Sequence, residues 1–143
     1  MNEALVSDYM TRNPVAIRAE DKVTEAFSVL DKNEFRHLPV IDKEGKLKGI
    51  LSTRDLSNLR LAIDIYGTLD ENYAGADQLT IEQLMQTDIQ TINVDATLKD
   101  ASLLIIDSHV GALPVVAKDG ELLGIISYVD ILQSLVGKTL YIE

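Results

Sequence analysis

The stretch "GILSTRDL" at residues 49–56 returns in altered form as "GIISYVDI" at residues 124–131. Sliding the chain of 143 residues against itself by 75 positions aligns residues 5–60 with residues 80–135 without a gap. Of these 56 aligned pairs 13 are identical, whereas average composition gives roughly three or four by chance. The chain is therefore a tandem repeat of one unit.

Each copy of the unit predicts the same order of elements, β-α-β-β-α. In the first copy "VAI" is a strand candidate, and "EDKVTEAFSVLDKNEF" has apolar residues at helical spacing. "HLPVID" and "KLKGIL" predict a hairpin around "KEG", and "STRDLSNLRLAI" predicts a second helix. Because such a unit forms only a marginal core alone, two units should share one. The predicted fold is α/β (α+β), with the repeats packed sheet to sheet and related by pseudo-twofold symmetry.

The self-alignment also predicts the domain boundaries. The first repeat covers residues 5–60, a polar and acidic linker covers 61–79, and the second repeat covers 80–135. Together they form one module over residues 1–143. The last predicted helix has Ile131, Leu132 and Leu135 on its inner face.

The charge of the chain excludes some functions. A formal net charge of −10 argues against a nucleic-acid surface, which needs a basic face. Residues 5–60 hold ten Lys and Arg against nine Asp and Glu, whereas residues 80–135 hold two against eight. The first repeat must therefore supply most of the positive charge for any anionic ligand.

Location and metal content are also restricted by the sequence. No apolar run is long enough to span a membrane, no secretion signal is visible, and there is no cysteine. These features favour a cytoplasmic protein. The two histidines and the scattered acids have no metal-ligand spacing, so neither a metal nor a catalytic cofactor is expected.

The motifs of each copy follow one another in a recognisable order. Met10, Pro14, "VAI", an amphipathic helix, "RHLPVID" and "GILSTRD", duplicated about 75 residues apart, resemble a pair of cystathionine-β-synthase (CBS) domains, the Bateman module. The resemblance covers essentially the whole chain. It implies a regulatory module that binds adenine compounds between its repeats and does no catalysis. It also implies a homodimer, because Bateman modules commonly dimerise through their helices.

The pairs Ser52 with Asp55 and Ser127 with Asp130 allow two interpretations. On local sequence alone a capping box is favoured, although its acid is usually the longer Glu. Alternatively, the carboxylate accepts hydrogen bonds from a ribose beside the positive end of a helix, which the glycine upstream lets a ligand approach. In CBS pairs this acid holds the ribose of adenosine ligands, and the resemblance implies that role for Asp55 and Asp130. The duplication and the resemblance together favour binding.

The resemblance implies that each of two clefts is built from both repeats. In the main cleft Asp130 would hold the ribose, the first strand of the other repeat would line the adenine, and Arg36, His37 and Arg54 would face the phosphates. The residues carried over to the main cleft are Val15, Ala16, Ile17, Phe35, Arg36, His37, Pro39, Arg54, Ser127 and Asp130.

The second cleft is expected to be weaker. Its residues are Ser52, Asp55, Gln90, Thr91, Ile92, Val110 and Pro114. The positions that match the three basic residues of the main cleft hold Gly111, Ala112 and Val129. This cleft is therefore expected to bind nothing, a nucleoside, or a ligand without phosphates such as S-adenosylmethionine.

The predicted function is a sensor that binds AMP, ADP, ATP or S-adenosylmethionine and signals to an effector protein of unknown identity. The alternative is a dimerisation scaffold or adaptor whose clefts stay empty and whose Ser-Asp pairs act only as caps. An enzyme acting on nucleotides ranks third, because His37 has no nucleophile and no orienting group near it in the sequence.

The helix "ASLLIIDS" carries Leu103 and Ile106 off its inner stripe. They are expected either to be buried by the linker or the last helix, or to form an exposed apolar patch that a second subunit closes. We favour the second interpretation, and with it a homodimer.

Overall fold

The computed structural model describes residues 3–32, 37–66 and 79–137. They group into two compact units: unit 1 is formed by residues 1–14 and 90–143, and unit 2 by residues 15–89. In chain order the elements are α1 (Val6–Tyr9), β1 (Thr11–Arg12), β2 (Ile17–Arg18), α2 (Val23–Lys32), β3 (His37–Ile41), β4 (Leu47–Ser52), α3 (Thr53–Tyr66), α4 (Ile81–Leu84), β5 (Ile92–Asn93), α5 (Leu98–Ser108), β6 (Ala112–Val116), β7 (Leu122–Ser127) and α6 (Tyr128–Val136). The predicted α/β class is confirmed, and each repeat contributes the order β-α-β-β-α.

Unit 2 contains a three-stranded sheet in the order β2-β3-β4. Strand β2 runs parallel to β3, with Ile17 opposite Val40, and β3 and β4 form the predicted antiparallel hairpin. At its turn Gly45 has a φ of +85°, a left-handed conformation that glycine adopts without strain. The core of unit 2 is formed by Ile17, Val23, Ala26, Leu38, Val40, Leu51, Leu56, Leu79 and Ile81.

Unit 1 contains a four-stranded sheet in the order β1-β7-β6-β5. Strand β5 runs parallel to β6, β6 and β7 form the second hairpin, and β1 pairs antiparallel with β7, where Thr11 lies opposite Ile125. Helices α5 and α6 pack against each other within this unit. The core of unit 1 is formed by Val6, Met10, Ile92, Leu98, Ala101, Leu113, Val115 and Ile126.

Each compact unit also includes the segment that precedes the first strand of the other repeat. Helix α1 begins the first repeat but packs in unit 1, where the amide of Val6 donates to the carbonyl oxygen of Ala96 at 2.9 Å. Helix α4 begins the second repeat but packs in unit 2, where the amide of Ile81 donates to the carbonyl oxygen of Asp21 at 2.9 Å. The two repeats have therefore exchanged their N-terminal segments.

The first repeat was predicted to end at residue 60. Helix α3 continues to Tyr66, and residues 67–78 of the predicted linker lie outside the described residues.

None of the helices in the described ranges combines the length and the hydropathy needed to cross a lipid bilayer.

Candidate functional site

Both Ser-x-x-Asp pairs lie where a hairpin strand ends and a helix begins. Ser127 is the last residue of β7 and Ser52 is the last residue of β4. In the hairpins, Ser127 lies opposite Ala112 and Ser52 lies opposite His37. Each acid is therefore placed in the first turn of a helix, where the unpaired amides and the helix dipole favour negative charge.

Ser127 and Asp130 form a reciprocal capping box at the start of α6. The amide of Asp130 donates to Oγ of Ser127 at 3.1 Å, and the amide of Ser127 donates to Oδ2 of Asp130 at 2.8 Å. Both residues are half-buried. The box uses one of the two carboxylate oxygens, and an ionised carboxylate has about four acceptor sites. Capping therefore fixes the position of the Asp130 carboxylate and leaves it able to accept further hydrogen bonds.

Ser52 and Asp55 form only half of this arrangement. Oγ of Ser52 accepts from the amides of Arg54 and Asp55 at 3.2 and 3.4 Å. Within the described residues no bond returns from the amide of Ser52 to the Asp55 carboxylate, and Asp55 is exposed. The Asp130 carboxylate is thus the better positioned of the two predicted ribose ligands, because fewer of its rotamers remain to be ordered on binding.

Aspartate also closes a capping box outside the predicted clefts. At the start of α5, the amide of Asp100 donates to Oγ1 of Thr97 at 3.1 Å, and the amide of Thr97 donates to Oδ2 of Asp100 at 3.2 Å. Asp can therefore close a capping box in this chain, although the acid of the motif is usually the longer Glu. Its presence in place of Glu does not by itself distinguish a ligand site from a cap.

The glycines upstream of the two serines lie directly against the exchanged N-terminal segments. A Cβ built on Gly124 would lie 2.7 Å from Sδ of Met10 and 2.7 Å from the carbonyl oxygen of Thr11. A Cβ on Gly49 would lie 2.8 Å from Sδ of Met85 and 2.7 Å from the carbonyl oxygen of Gln86. The glycines therefore make room for the exchanged N-terminal segments, and the close approach of a ligand to them stays a prediction. The identity of Met10 with Met85 in the self-alignment was the available signal.

The described main-cleft residues of the first repeat lie in unit 2, and their burial differs. Val15 is exposed and lies outside β2, so the predicted strand begins at Ile17, which is 4% exposed in the core. Ala16 is half-buried, and Pro39 is buried in the middle of β3. Phe35 and Arg36 lie outside the described residues.

Two of the three basic residues predicted to face phosphates come together in unit 2. His37, the first residue of β3, lies opposite Ser52, and the amide of Arg54 donates to Oγ of that serine. The start of α3 is therefore flanked by two basic residues, whereas the start of α6 has Ala112 and Val129 in their places. The combination of Asp130 from unit 1 with His37 and Arg54 from unit 2 stays a prediction.

The second-cleft residues of the second repeat lie in unit 1. Gln90 is exposed and Thr91 is half-buried, whereas Ile92 and Pro114 are buried in strands β5 and β6. Val110 is half-buried and packs against the core of unit 1. None of these side chains carries a charge, which agrees with a site that does not attract phosphate.

Comparison with known proteins gives the class. The CBS domain family model matches residues 6–61 and 81–137, and the chain belongs to this family. It is 31% identical over 137 residues to a CBS domain-containing protein of Dictyostelium discoideum, covering 94% of this chain and 92% of that one. Two longer relatives from Methanocaldococcus jannaschii are matched over 46% and 24% of their length.

Two solved structures have the same fold. The crystal structure of CBSX2 in complex with AMP matches with a TM-score of 0.76 and 26% identity, over 93% of this chain and 96% of that one. The CBS domain pair of protein MJ0100 in complex with 5′-methylthioadenosine and S-adenosyl-L-methionine matches with a TM-score of 0.75 and 25% identity, over 96% and 100% of the two chains. The chain thus has the fold of a tandem CBS pair, as its sequence motifs predict.

Proposed function

We propose that this chain is a regulatory module that binds one adenine nucleotide, AMP, ADP or ATP, in a cleft containing Asp130. The observation that carries the proposal is the geometry of the Asp130 carboxylate. It is fixed in the first turn of α6 by the Ser127 capping box and still has free acceptor capacity for a ribose diol. Similar CBS pairs that were crystallised with AMP, or with 5′-methylthioadenosine and S-adenosyl-L-methionine, support the ligand class.

The distribution of charge supports a nucleotide rather than a nucleoside beside Asp130. His37 and Arg54 flank the start of α3, and the sequence places Arg36 next to His37. A phosphate opposite Asp130 would gain charge-assisted hydrogen bonds from these groups. The residues that the second repeat would contribute to the second cleft, at the positions matching Arg36, His37 and Arg54, are uncharged, so we propose that this cleft binds S-adenosylmethionine, a nucleoside, or nothing.

The proposed role is to report the ligand and not to transform it. A regulator must bind its ligand differently in two states, and an effector protein must distinguish those states. We infer an energy or metabolite sensor without a catalytic step. The lack of cysteine in the sequence suits the reducing cytoplasm, where we propose that the protein works.

We also propose that the protein forms a homodimer. Leu103 and Ile106 are 50% and 64% exposed, so the structure does not bury them under another helix of the described chain. Exposed apolar side chains that lie side by side on a helix are typical of an interaction surface.

One observation favours the alternative of a scaffold with empty clefts. Both hydrogen bonds of the Ser127 capping box are made within the chain, as are those of the Thr97 box, which lies outside the predicted clefts. A scaffold would need no more from Asp130 than this cap.

A thermal-shift panel with AMP, ADP, ATP and S-adenosylmethionine distinguishes the candidates. Ligand at one hundred times its dissociation constant stabilises the folded state by about 2.7 kcal/mol, a shift of several degrees in Tm. The sensor proposal predicts this shift for at least one adenine compound, with the compound recovered unchanged by chromatography. No shift with any of them would support the scaffold, and conversion of the nucleotide would support an enzyme.

A further inference from the structure

A methionine lies against a sheet glycine at the end of each exchanged segment. Met85 follows α4, and a Cβ built on Gly49 of β4 would lie 2.8 Å from its Sδ and 3.0 Å from its Cγ. Met10 follows α1 in the same way, and a Cβ on Gly124 of β7 would lie 2.7 Å from its Sδ. Each thioether is therefore in direct contact with a strand backbone, and there is no room for an added atom on that side.

The two methionines differ in their exposure to solvent. Met10 is 8% exposed and belongs to the core of unit 1. Met85 is half-buried and packs against the core of unit 2 from its edge. A small solute in water therefore reaches the side chain of Met85 more readily than that of Met10.

The backbone pairing beside the two methionines differs in the same direction. The residues after Met10 form β1, which pairs with β7 over two residues. After Met85 the structure has only an isolated bridge between Gln86 and Ile50 of β4. In this bridge the amide of Ile50 donates to the carbonyl oxygen of Gln86 at 3.0 Å, and the amide of Gln86 donates to that of Ile50 at 2.9 Å. Among the described residues, the more exposed methionine is thus also the one with the weaker strand pairing.

The sulfur chemistry of this chain is that of thioethers. The sequence contains three methionines and no cysteine, so an oxidant that attacks sulfur can react only with methionine. When a thioether attacks a peroxide, the S–O bond forms as the O–O bond breaks, and the other oxygen leaves as water after proton transfer. The sulfur loses two electrons and the peroxide gains them. The product is methionine sulfoxide, a polar and chiral group that sulfoxide reductases with a dithiol convert back to the thioether.

We propose that Met85 is a reversible oxidation site, where a peroxide forms the sulfoxide and thereby loosens the exchanged segment from β4. The amides of Ile50 and Gln86 already donate to each other's carbonyl oxygens, so neither is available to the new sulfoxide oxygen. An unpaired polar group against the core is unfavourable, and the oxidised side chain is better solvated in water. Its movement outward should open the bridge between Gln86 and Ile50.

The loosened strand leads to the predicted second cleft. Ile50 lies two residues before Ser52, the last residue of β4, whose hydroxyl accepts hydrogen bonds from the first turn of α3. Oxidation of Met85 would thus act on the strand that positions this serine. The inference itself rests on neither nucleotide binding nor the homodimer, and its tests measure only oxidation and local opening.

The rate of oxidation at each methionine tests the site. The full chain is treated with hydrogen peroxide, and peptide fragmentation by mass spectrometry assigns each added oxygen to a residue. Met85 should be oxidised at least about threefold faster than Met10 in the folded chain, because it is more exposed. In urea-unfolded chain the two rates should be equal. Oxidation of Met10 as fast as Met85 in the folded chain would overturn the proposal.

Hydrogen exchange of the backbone amides tests the loosening. In chain oxidised at Met85, the amides of Ile50 and Gln86 should exchange about tenfold faster than in untreated chain. The Tm should fall by several degrees, because packing and local pairing are lost. Unchanged exchange at these two amides in fully oxidised chain would contradict the proposed opening. Methionine sulfoxide reductases for both epimers, with a dithiol, should restore the original exchange rates. Lack of recovery would overturn the reversibility.

Substitution of the methionines assigns the effect to one sulfur atom. Met85→Leu keeps an apolar side chain of similar volume without sulfur, so its Tm and amide exchange should not change on treatment with peroxide. Met10→Leu is the matched control and should respond to peroxide as the wild type does. Met85→Gln carries a polar group of similar length and should show the faster exchange at Ile50 without any oxidant. A response to peroxide that persists in Met85→Leu would overturn the proposal, whether or not Met85→Gln folds.

Discussion

The carboxylate of Asp130 and the hydroxyl of Ser127 cap the same helix, each accepting a hydrogen bond from the other's backbone amide at 2.8 and 3.1 Å. The sequence alone presents capping and ribose binding as alternatives. In the structure the cap occupies one oxygen of the carboxylate and orients the other, so the two roles are compatible. Ribose binding at Asp130, as proposed, would then require no rearrangement of the Asp130 side chain.

Removing the Ser127 cap should lower both stability and AMP affinity, whereas removing the Thr97 cap should lower stability alone. Ser127→Ala loses the hydrogen bond from the amide of Asp130 and should lower the free energy of unfolding by about 1 kcal/mol. It should also weaken AMP binding a few-fold, because the carboxylate is less well oriented. Thr97→Ala removes the equivalent cap of α5 and should lower stability similarly, as measured by urea unfolding, with unchanged AMP affinity. An equal loss of affinity in both variants would indicate a general effect of destabilisation.

The packing of the exchanged N-terminal segment of the first repeat should depend on the absence of a side chain at Gly124. Gly124→Ala forces its new methyl group against Met10 and the carbonyl oxygen of Thr11, which should cost about 1–3 kcal/mol of stability. In the background of Met10→Ala, which removes the sulfur contact, the same substitution should cost less. A double-mutant cycle followed by urea unfolding measures this coupling. Strict additivity of the two substitutions would contradict the assigned contact.

The first hairpin should show a pH dependence from Asp42. Its Oδ1 accepts from the amides of Glu44 and Lys46 at 2.8 and 3.0 Å, and Lys48 lies 3.7 Å from Oδ2. The hydrogen bond from Lys46 is the main cause that holds the pKa of Asp42 below its ordinary 3.8, with smaller contributions from the Glu44 amide and Lys48. Because the pKa in the folded state is depressed, the stabilisation is present above pH 3.8 and is lost as the pH falls through the lower value.

Asp42→Asn should therefore reduce the loss of stability at acid pH. Thermal unfolding between about pH 2 and about pH 5, on either side of the ordinary pKa of Asp, measures this effect. High salt serves as the control. It screens the attraction of Lys48 but not the backbone hydrogen bonds, so most of the effect should persist at about 1 M NaCl. If stability falls with decreasing pH to the same extent in wild type and in Asp42→Asn, this assignment is contradicted.

The duplication and the order of elements along each repeat could be predicted because they depend on local patterns. Periodic apolar residues, the hairpin turns at Gly45 and Gly120, and the repeated motifs all lie within short stretches of sequence. The exchange of α1 and α4 could not be predicted in this way. Helices of four residues have almost no periodicity, and the contact between Met10 and Gly124 joins positions far apart in the chain.

The outer and inner faces of α6 could not be separated by pattern either. The prediction that Leu132 and Leu135 lie with Ile131 on the inner face is wrong, because they are 53% and 78% exposed whereas Ile131 packs against the core of unit 1. The sequence "YVDILQSLV" has apolar residues on several sides, so only the packing identifies Ile131 as the inner one. At the candidate site, the sequence located Ser127 and Asp130 at a helix start, which the structure confirms. Their hydrogen bonds depend on side-chain rotamers, which the spacing of residues does not determine.

Calorimetric titration of AMP into wild type and Asp130→Asn tests the central claim most directly. Asn keeps the shape of the cap but removes the charge, so we expect a loss of tenfold or more in affinity, from about 1.4 kcal/mol of charge-assisted hydrogen bonding to the ribose. Asp100→Asn, the same change in the α5 capping box, should bind AMP as the wild type does. AMP binding that survives in Asp130→Asn but is abolished in Asp55→Asn would contradict the assignment of the main site.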